Sequence, residues 1–98
     1  MDAENALNKI LDAANADPLR VSFWPHARQR MMQRGATFSD VLSCLREATA
    51  CRPSEDGPDR WVVSGEDSSG DELAVVVYII EVLGKGARCE VVTIFEGP

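Results

Sequence analysis

The sequence predicts an α+β domain in which two to three helices pack on an antiparallel β-sheet meander. Apolar residues in the first half recur at every third or fourth position, as they do along one face of a helix. Apolar residues in the second half form runs rich in β-branched side chains, separated by glycine and acidic residues. Helices followed by a run of strands are typical of the α+β class.

The composition is that of one folded domain covering residues 1–98. Hydrophobic residues make up 45% and charged residues 27%, which excludes a disordered chain. No apolar run approaches the roughly 20 residues of a membrane span, and the acidic N-terminus does not resemble a signal peptide. The three cysteines are widely spaced, and none belongs to a CxxC pair. We therefore expect a cytoplasmic protein without a membrane anchor, a metal site or a cofactor.

The net charge of −6 is unevenly divided along the chain. Residues 1–19 carry one base and four acids, and residues 53–98 carry three bases and ten acids. Residues 20–52, in contrast, carry six arginines and only two acids, a net charge of +4. A local basic surface can attract phosphate although the whole chain is acidic. The alternative is that the acidic surfaces only keep the protein soluble.

The first helix is predicted over residues 2–16, and Asp17-Pro18 ends it because a residue before proline disfavours the helical conformation. Its apolar positions share a spacing of three or four, and they are Ala3, Leu7, Ile10, Leu11 and Ala14. Residues 20–24 are expected to form a short extended segment that leads into the second helix.

The second helix is predicted over residues 25–34, because Pro25 suits a first helical turn and Gly35 suits the left-handed position after the last. At about 100° per residue, its polar side chains fall within an arc of roughly 140°. They are His26, Gln29, Arg30, Gln33 and Arg34. The opposite, packing side carries Trp24, Ala27 and Met31, with Met32 beside them.

A third helix is predicted over residues 38–48, with Thr37 and Asp40 forming a capping box at its start. Residues 52–59 are rich in proline, glycine and acidic residues and are predicted to form a loop.

Three strands are predicted, over residues 60–64, 73–80 and 87–95. The second is almost continuously β-branched, which favours a central strand covered on both faces or at an interface. The short Gly84–Gly86 turn requires the second and third strands to be antiparallel. We expect the first to be an edge strand that could pair with a partner or a second copy. Regular alternation in the third would place Cys89, Val91, Thr93 and Phe95 on one face.

His26 is the only histidine and the first candidate for chemistry. An imidazole can accept a proton near neutral pH, and Arg30 and Arg34 follow it at one-turn intervals on the same side. The like charges of these arginines repel each other, and a bound anion would offset that repulsion. The anion could be a phosphate or a carboxylate of the sheet. Thr93 is a lone hydroxyl on a predicted apolar strand face, which is an ordinary strand feature or a hydrogen-bond donor aimed at a site. The same two interpretations apply to Tyr78.

The chain resembles a known family in several short motifs. They are His26-Ala27-x-x-Arg30-Met31-x-x-Arg34-Gly35, Thr37 before a helix with Val41 and Leu45, Trp61-Val62-Val63-x-Gly65, and Val92-Thr93-Ile94. This pattern resembles the domain-of-unknown-function family number 4258, which is similar in layout to the RelE/MqsR/BrnT-like toxin ribonucleases of bacterial toxin–antitoxin pairs. The resemblance covers about residues 22–95 and leaves residues 1–19 outside it.

The resemblance implies a RelE/BrnT-like fold, metal-independent RNA cleavage and inhibition by a protein antitoxin. By motif position it implies His26, Arg30, Arg34 and Thr93 as catalytic residues. Arg28 and Tyr78 are the candidate substrate-binding residues. The expected function is a toxin-like endoribonuclease acting on single-stranded RNA, which associates with an antitoxin or as a homodimer. The alternative is a non-catalytic interaction or regulatory module of the same fold, in which His26 and the arginines form a structural network with acidic residues of the sheet.

Overall fold

The computed structural model describes residues 1–55, 57–82, 84 and 86–96, without the side chains of Val82 and Glu96. Within these residues, three helices and five strands form one α+β domain. The helices are α1 (Ala3–Asn15), α2 (Pro25–Arg34) and α3 (Phe38–Arg46). The strands are β1 (Val21–Phe23), β2 (Cys51–Pro53), β3 (Arg60–Glu66), β4 (Glu72–Val82) and β5 (Gly86–Glu96). The predicted α+β class and the predicted antiparallel pairing of β4 with β5 are both confirmed. Lys85 of the predicted Gly84–Gly86 turn lies outside the described residues.

The helices begin where local sequence signals place them, and α2 also ends there. The Asp2 carboxylate accepts a hydrogen bond from the Asn5 N–H at 2.8 Å and caps α1. Gly35 adopts the left-handed conformation at φ 67° and ends α2. Thr37 and Asp40 form the predicted capping box, and α3 ends at Arg46, two residues earlier than expected.

The sheet order is β1-β5-β4-β3-β2, and β1 is the strand that pairs in parallel. The segment predicted as merely extended is β1, whose Val21 pairs with Cys89 of β5. The segment predicted as a loop starts with residues of β2, which pairs with β3. The prediction that residues 60–64 form an edge strand is therefore wrong, because β3 is hydrogen-bonded on both sides. Strands of three residues are too short to carry a periodic signal.

Strand β5 contains a β-bulge that reverses the alternation of its side chains. Val76 pairs with Thr93 but Val77 pairs with Val91, so Val92 is an extra residue on β5. Cys89 and Val91 face the helices, whereas Phe95 packs on the opposite face of the sheet. The prediction that these residues share one face with Thr93 is therefore wrong.

The main core lies between the helices and the sheet and includes the N-terminal helix. In α1, four side chains are completely buried, namely Ala6, Ile10, Ala13 and Ala14. Ala27 and Met31 of α2 and Leu45 of α3 belong to the same core. Residues 1–19, which lie outside the family resemblance, thus form part of the one domain.

A second cluster lies on the sheet face opposite the helices, which we name the open face. Its buried members are Val62, Ala74, Val76 and Val92. Val76 is only 2% exposed, while its neighbours Val75 and Val77 are buried on the helix side. The prediction of a strand covered on both faces is therefore confirmed for β4, which is also the central strand.

The contact between α3 and β3 requires glycine at position 65. A Cβ atom added to Gly65 would lie 2.9 Å from the Cys44 carbonyl oxygen and 3.1 Å from its sulfur. The oxygen belongs to the backbone and the sulfur to a completely buried side chain, so the helix would have to move away from the strand. Gly65 therefore sets how closely α3 approaches the sheet.

The β3–β4 turn is tied to the start of α3 through Asp40. The Ser68 hydroxyl and the Ser68 N–H both donate to Asp40 Oδ1, and the Thr37 N–H donates to Oδ2 at 2.9 Å. These hydrogen bonds, that from the Ser68 side chain above all, lower the pKa of Asp40 below its usual value.

We expect the Ser68–Asp40 link to stabilise the fold in a pH-dependent way. The folded-state pKa of Asp40 is lower than its unfolded-state pKa of about 3.9. The stabilisation of the fold by ionised Asp40 is therefore fully present above the unfolded-state pKa and is lost as the pH falls through the folded-state pKa. Ser68→Ala should lower the urea midpoint at pH 6 and do so much less at about pH 2.5. Ser69→Ala is the matched control in the same turn. A midpoint difference between wild type and Ser68→Ala that is constant over this range would contradict the assignment.

Candidate functional site

Helix α2 presents the candidate residues on a flank that the core leaves uncovered. The helix packs against β5 through Ala27 and Met31, as its apolar pattern predicts. His26 is exposed at the second helical position, and Arg30 is half-buried one turn later. Arg34 is exposed and is the last residue of the helix.

Among the described side chains, which do not include that of Glu96, no acidic residue of the sheet neutralises Arg30. Within the part of the chain that the structure describes, the side chains of His26 and Arg30 make no hydrogen bond and no ion pair. Ion pairs of that part include those of Lys9 with Glu81 and of Arg20 with Asp12. Arg34 differs from Arg30, because it does have an interaction partner. The alternative of a structural network with sheet carboxylates is thus not seen for His26 and Arg30.

Arg28 lies on the other flank of α2. Two residues along a helix correspond to about 200°, so Arg28 and Arg30 point in nearly opposite directions around the axis. The Arg28 guanidinium lies 5.6 Å from the centroid of the Phe38 ring. That ring packs on Phe23 with centroids 4.8 Å apart. The structure therefore separates Arg28 from His26 and Arg30.

Thr93 and Tyr78 are half-buried on the open face. Thr93 lies opposite Val76 at the bulge of β5, and Tyr78 of β4 lies between Arg60 and Glu90 in register. Strand β1 pairs with β5 only as far as Val91. Helix α2 contacts β5, but its buried residues Ala27 and Met31 lie in the main core, on the side of the sheet opposite Thr93. No hydrogen bond among the described residues joins His26 or Arg30 to Thr93 or Tyr78.

The helical pattern predicted the position of Trp24 wrongly. Trp24 precedes α2 rather than packing on its apolar side, and it contacts the second cluster on the open face. Its indole Nε1–H donates to Glu90 Oε1 at 3.0 Å. The Arg60 guanidinium lies 5.3 Å from the centroid of its ring. The available signal was strand alternation, which places Arg60, Tyr78 and Glu90 on the face away from the helices.

We expect Trp24 to stabilise the open face by covering its valines. A fully buried Trp→Ala change costs about 3–5 kcal/mol, and for the half-buried Trp24 we expect about 2 kcal/mol. Trp24→Phe keeps most of the covering surface and loses the hydrogen bond to Glu90, at about 1 kcal/mol. Urea unfolding followed by circular dichroism measures both. A Trp24→Ala variant as stable as the wild type would contradict this role.

Three grooves of the described surface are lined by other residues. One of about 340 Å³ lies at the end of α3 and contains Glu47, Glu66 and Glu72. A second of about 890 Å³ lies between α1 and the β4–β5 end of the sheet. A third of about 380 Å³ lies at the turn between α2 and α3. None of these three grooves is lined by His26 or Thr93.

The buried cysteines are unsuited to nucleophilic chemistry. Burial, with a smaller contribution from Asp67, raises the pKa of the Cys44 thiol to about 11. Burial also raises the pKa of Cys89, to about 12. Both thiols therefore stay protonated at neutral pH, and the thiolate is the reactive form.

Residues 1–55, 57–82, 84 and 86–96 contain no group of three or more His, Cys, Asp or Glu side chains placed to hold a metal ion. Nor do they contain a helix with the length and apolar character needed to cross a bilayer.

Comparison of the chain with protein-family models, curated proteins and solved structures gave no significant match. Membership of family number 4258 and the toxin-like fold therefore stay predictions.

Proposed function

We propose that the protein is a cytoplasmic, toxin-like endoribonuclease that cleaves single-stranded RNA without a metal ion. Its active site combines His26, Arg30 and Arg34 of α2 with Thr93 of β5. As in the toxin families that the sequence resembles, a protein antitoxin would inhibit it; the alternative association is a homodimer. One observation carries the proposal: Trp24, which directly precedes the helix with His26 and Arg30, packs on the open face, where aromatic and arginine side chains are interspersed.

The open face has the composition of a surface that binds unpaired nucleotides. Its half-buried aromatic side chains are Trp24, Tyr78 and Phe95. Register places Arg52 opposite Val62, Arg60 opposite Tyr78, and Arg88 opposite Ile80. Unpaired bases stack on aromatic rings while arginines contact the backbone phosphates. Duplex RNA hides its bases and fits such a face poorly.

The proposed reaction is an attack of the ribose 2′-hydroxyl on the adjacent phosphorus. His26 accepts the hydroxyl proton as general base. The bond from the 2′-oxygen to phosphorus forms, the bond to the 5′-oxygen breaks, and the leaving oxygen takes a proton from solvent. Arg30 and Arg34 stabilise the charge that develops on the phosphate oxygens. Thr93 positions that phosphate through its hydroxyl, and Tyr78 binds the neighbouring nucleotide.

The test uses purified wild-type protein with single-stranded RNA in the presence of a chelator. We expect products with 2′,3′-cyclic phosphate ends. A matched oligonucleotide with 2′-deoxyribose throughout should bind but remain uncut, because it lacks the attacking hydroxyl. RNA that stays intact, or equal cutting of RNA and DNA, would rule out this reaction.

The second candidate function is a non-catalytic interaction module. The observation that favours it is that none of the three grooves contains His26, whereas one of them exposes apolar side chains. In this case the wild type should leave RNA intact under every condition of the cleavage assay.

A further inference from the structure

The turn between α2 and α3 exposes apolar side chains that do not belong to the core. Met32 is 83% exposed and Phe38 is 49% exposed, and both line the groove of about 380 Å³. The groove is lined by Arg28, Met31, Met32, Ala36, Thr37 and Phe38. The helical pattern placed Met32 beside the packing side, yet its side chain lies in solvent. Contiguous exposed apolar surface on a small protein marks an interaction site more often than chance.

The lining of this groove is positively charged, whereas the chain as a whole carries −6. Helix α2 contains three arginines and no acidic residue. Of the residues that line the groove, Arg28 is charged and none is acidic. An acidic partner is therefore attracted to the groove, while the net negative charge of the chain disfavours its binding elsewhere.

We propose that the groove between α2 and α3 binds an amphipathic helix of a partner protein that has an apolar face and flanking acidic residues. Met32 and Phe38 contact the apolar face, and methionine adapts well to such a surface. The Arg28 guanidinium, already held over the Phe38 ring at 5.6 Å, faces a flanking carboxylate. The proposal does not depend on RNA cleavage.

A helix fits this site better than a strand or a second copy does. The groove is walled by α2, the 35–37 turn and the start of α3, and it offers no strand edge for backbone pairing. Two copies meeting at this groove would bring like charges together, because its lining contains Arg28 and no acidic residue. A helix with apolar residues at positions i, i+3, i+4 and i+7 needs only side-chain contacts.

The probe is a fluorescent synthetic helical peptide of about five turns, with leucines on one face and glutamates on both flanks. Its controls are a scrambled peptide of the same composition and a peptide with lysines in place of the glutamates. Fluorescence anisotropy with the full-length protein should give saturable binding to the first peptide only, and the binding should weaken with added salt.

The decisive variant is Met32→Glu, because a side chain 83% exposed contributes little to folding. We expect its Kd to rise about tenfold or more. Gln33→Glu is the matched control, with the same change in charge at the next residue, and should bind with a smaller loss. Arg28→Gln should reduce the salt dependence of peptide binding.

Equal binding of the scrambled peptide, or equal loss of binding in both glutamate variants, would overturn the proposal. Sedimentation that showed a wild-type dimer abolished by Met32→Glu would overturn it too, since the groove would then be a self-interface.

Discussion

His26→Ala is expected to reduce RNA cleavage by roughly 10²–10⁴-fold, the usual contribution of a general base. The imidazole is exposed on α2, so its removal leaves no cavity and should change the free energy of unfolding very little. The measurement is the rate of appearance of cyclic-phosphate ends from single-stranded RNA, together with a urea unfolding curve for the same sample.

Gln29→Ala is the matched control, because Gln29 is exposed on the same helix one turn further on. It should keep both activity and stability. Arg30→Ala should weaken RNA binding. It should also reduce the slope of log binding constant against log salt concentration by about one, because one phosphate contact is lost. Full activity in His26→Ala would exclude the proposed base. Strong destabilisation by His26→Ala, in a chain that leaves RNA intact, would instead favour a structural role.

Ile10→Ala is expected to lower the free energy of unfolding by about 2–5 kcal/mol, the range for removing a fully buried aliphatic side chain. Ile10 is 0% exposed and belongs to the core that α1, α2, α3 and the sheet share. The effect should therefore appear as one cooperative transition at a lower urea midpoint. This result would establish that residues 1–19 are part of the folding unit.

Leu11→Ala is the matched control, since Leu11 lies on the same helix, is half-buried and does not belong to the main core. It should lower stability much less. If Ile10→Ala and Leu11→Ala had equal and small effects, α1 would be an appendage rather than a core element. Met31→Ala in α2 should resemble Ile10→Ala in stability, without a specific loss of cleavage in the folded fraction.

The helices were predictable because their signals are local. A capping carboxylate, a proline at the start, a glycine after the end and a three-to-four-residue spacing all act within a few positions. Asp40 in the capping box and Gly35 at the end of α2 are found where these rules place them. The continuous β-branched run of β4 likewise predicted a strand covered on both faces.

The sequence by itself thus determined the three helices, the three long strands, the antiparallel β4–β5 pair and the unusual concentration of positive charge around α2. Only the tertiary structure decided that β1 pairs in parallel with β5, that β2 takes the edge position expected for β3, and that Trp24 covers the open face. It also decided the bulge at Val92, which turns Thr93 away from the main core. Short strands, bulges and cross-sheet contacts depend on pairing between residues far apart in the chain. A local sequence pattern therefore does not predict that pairing.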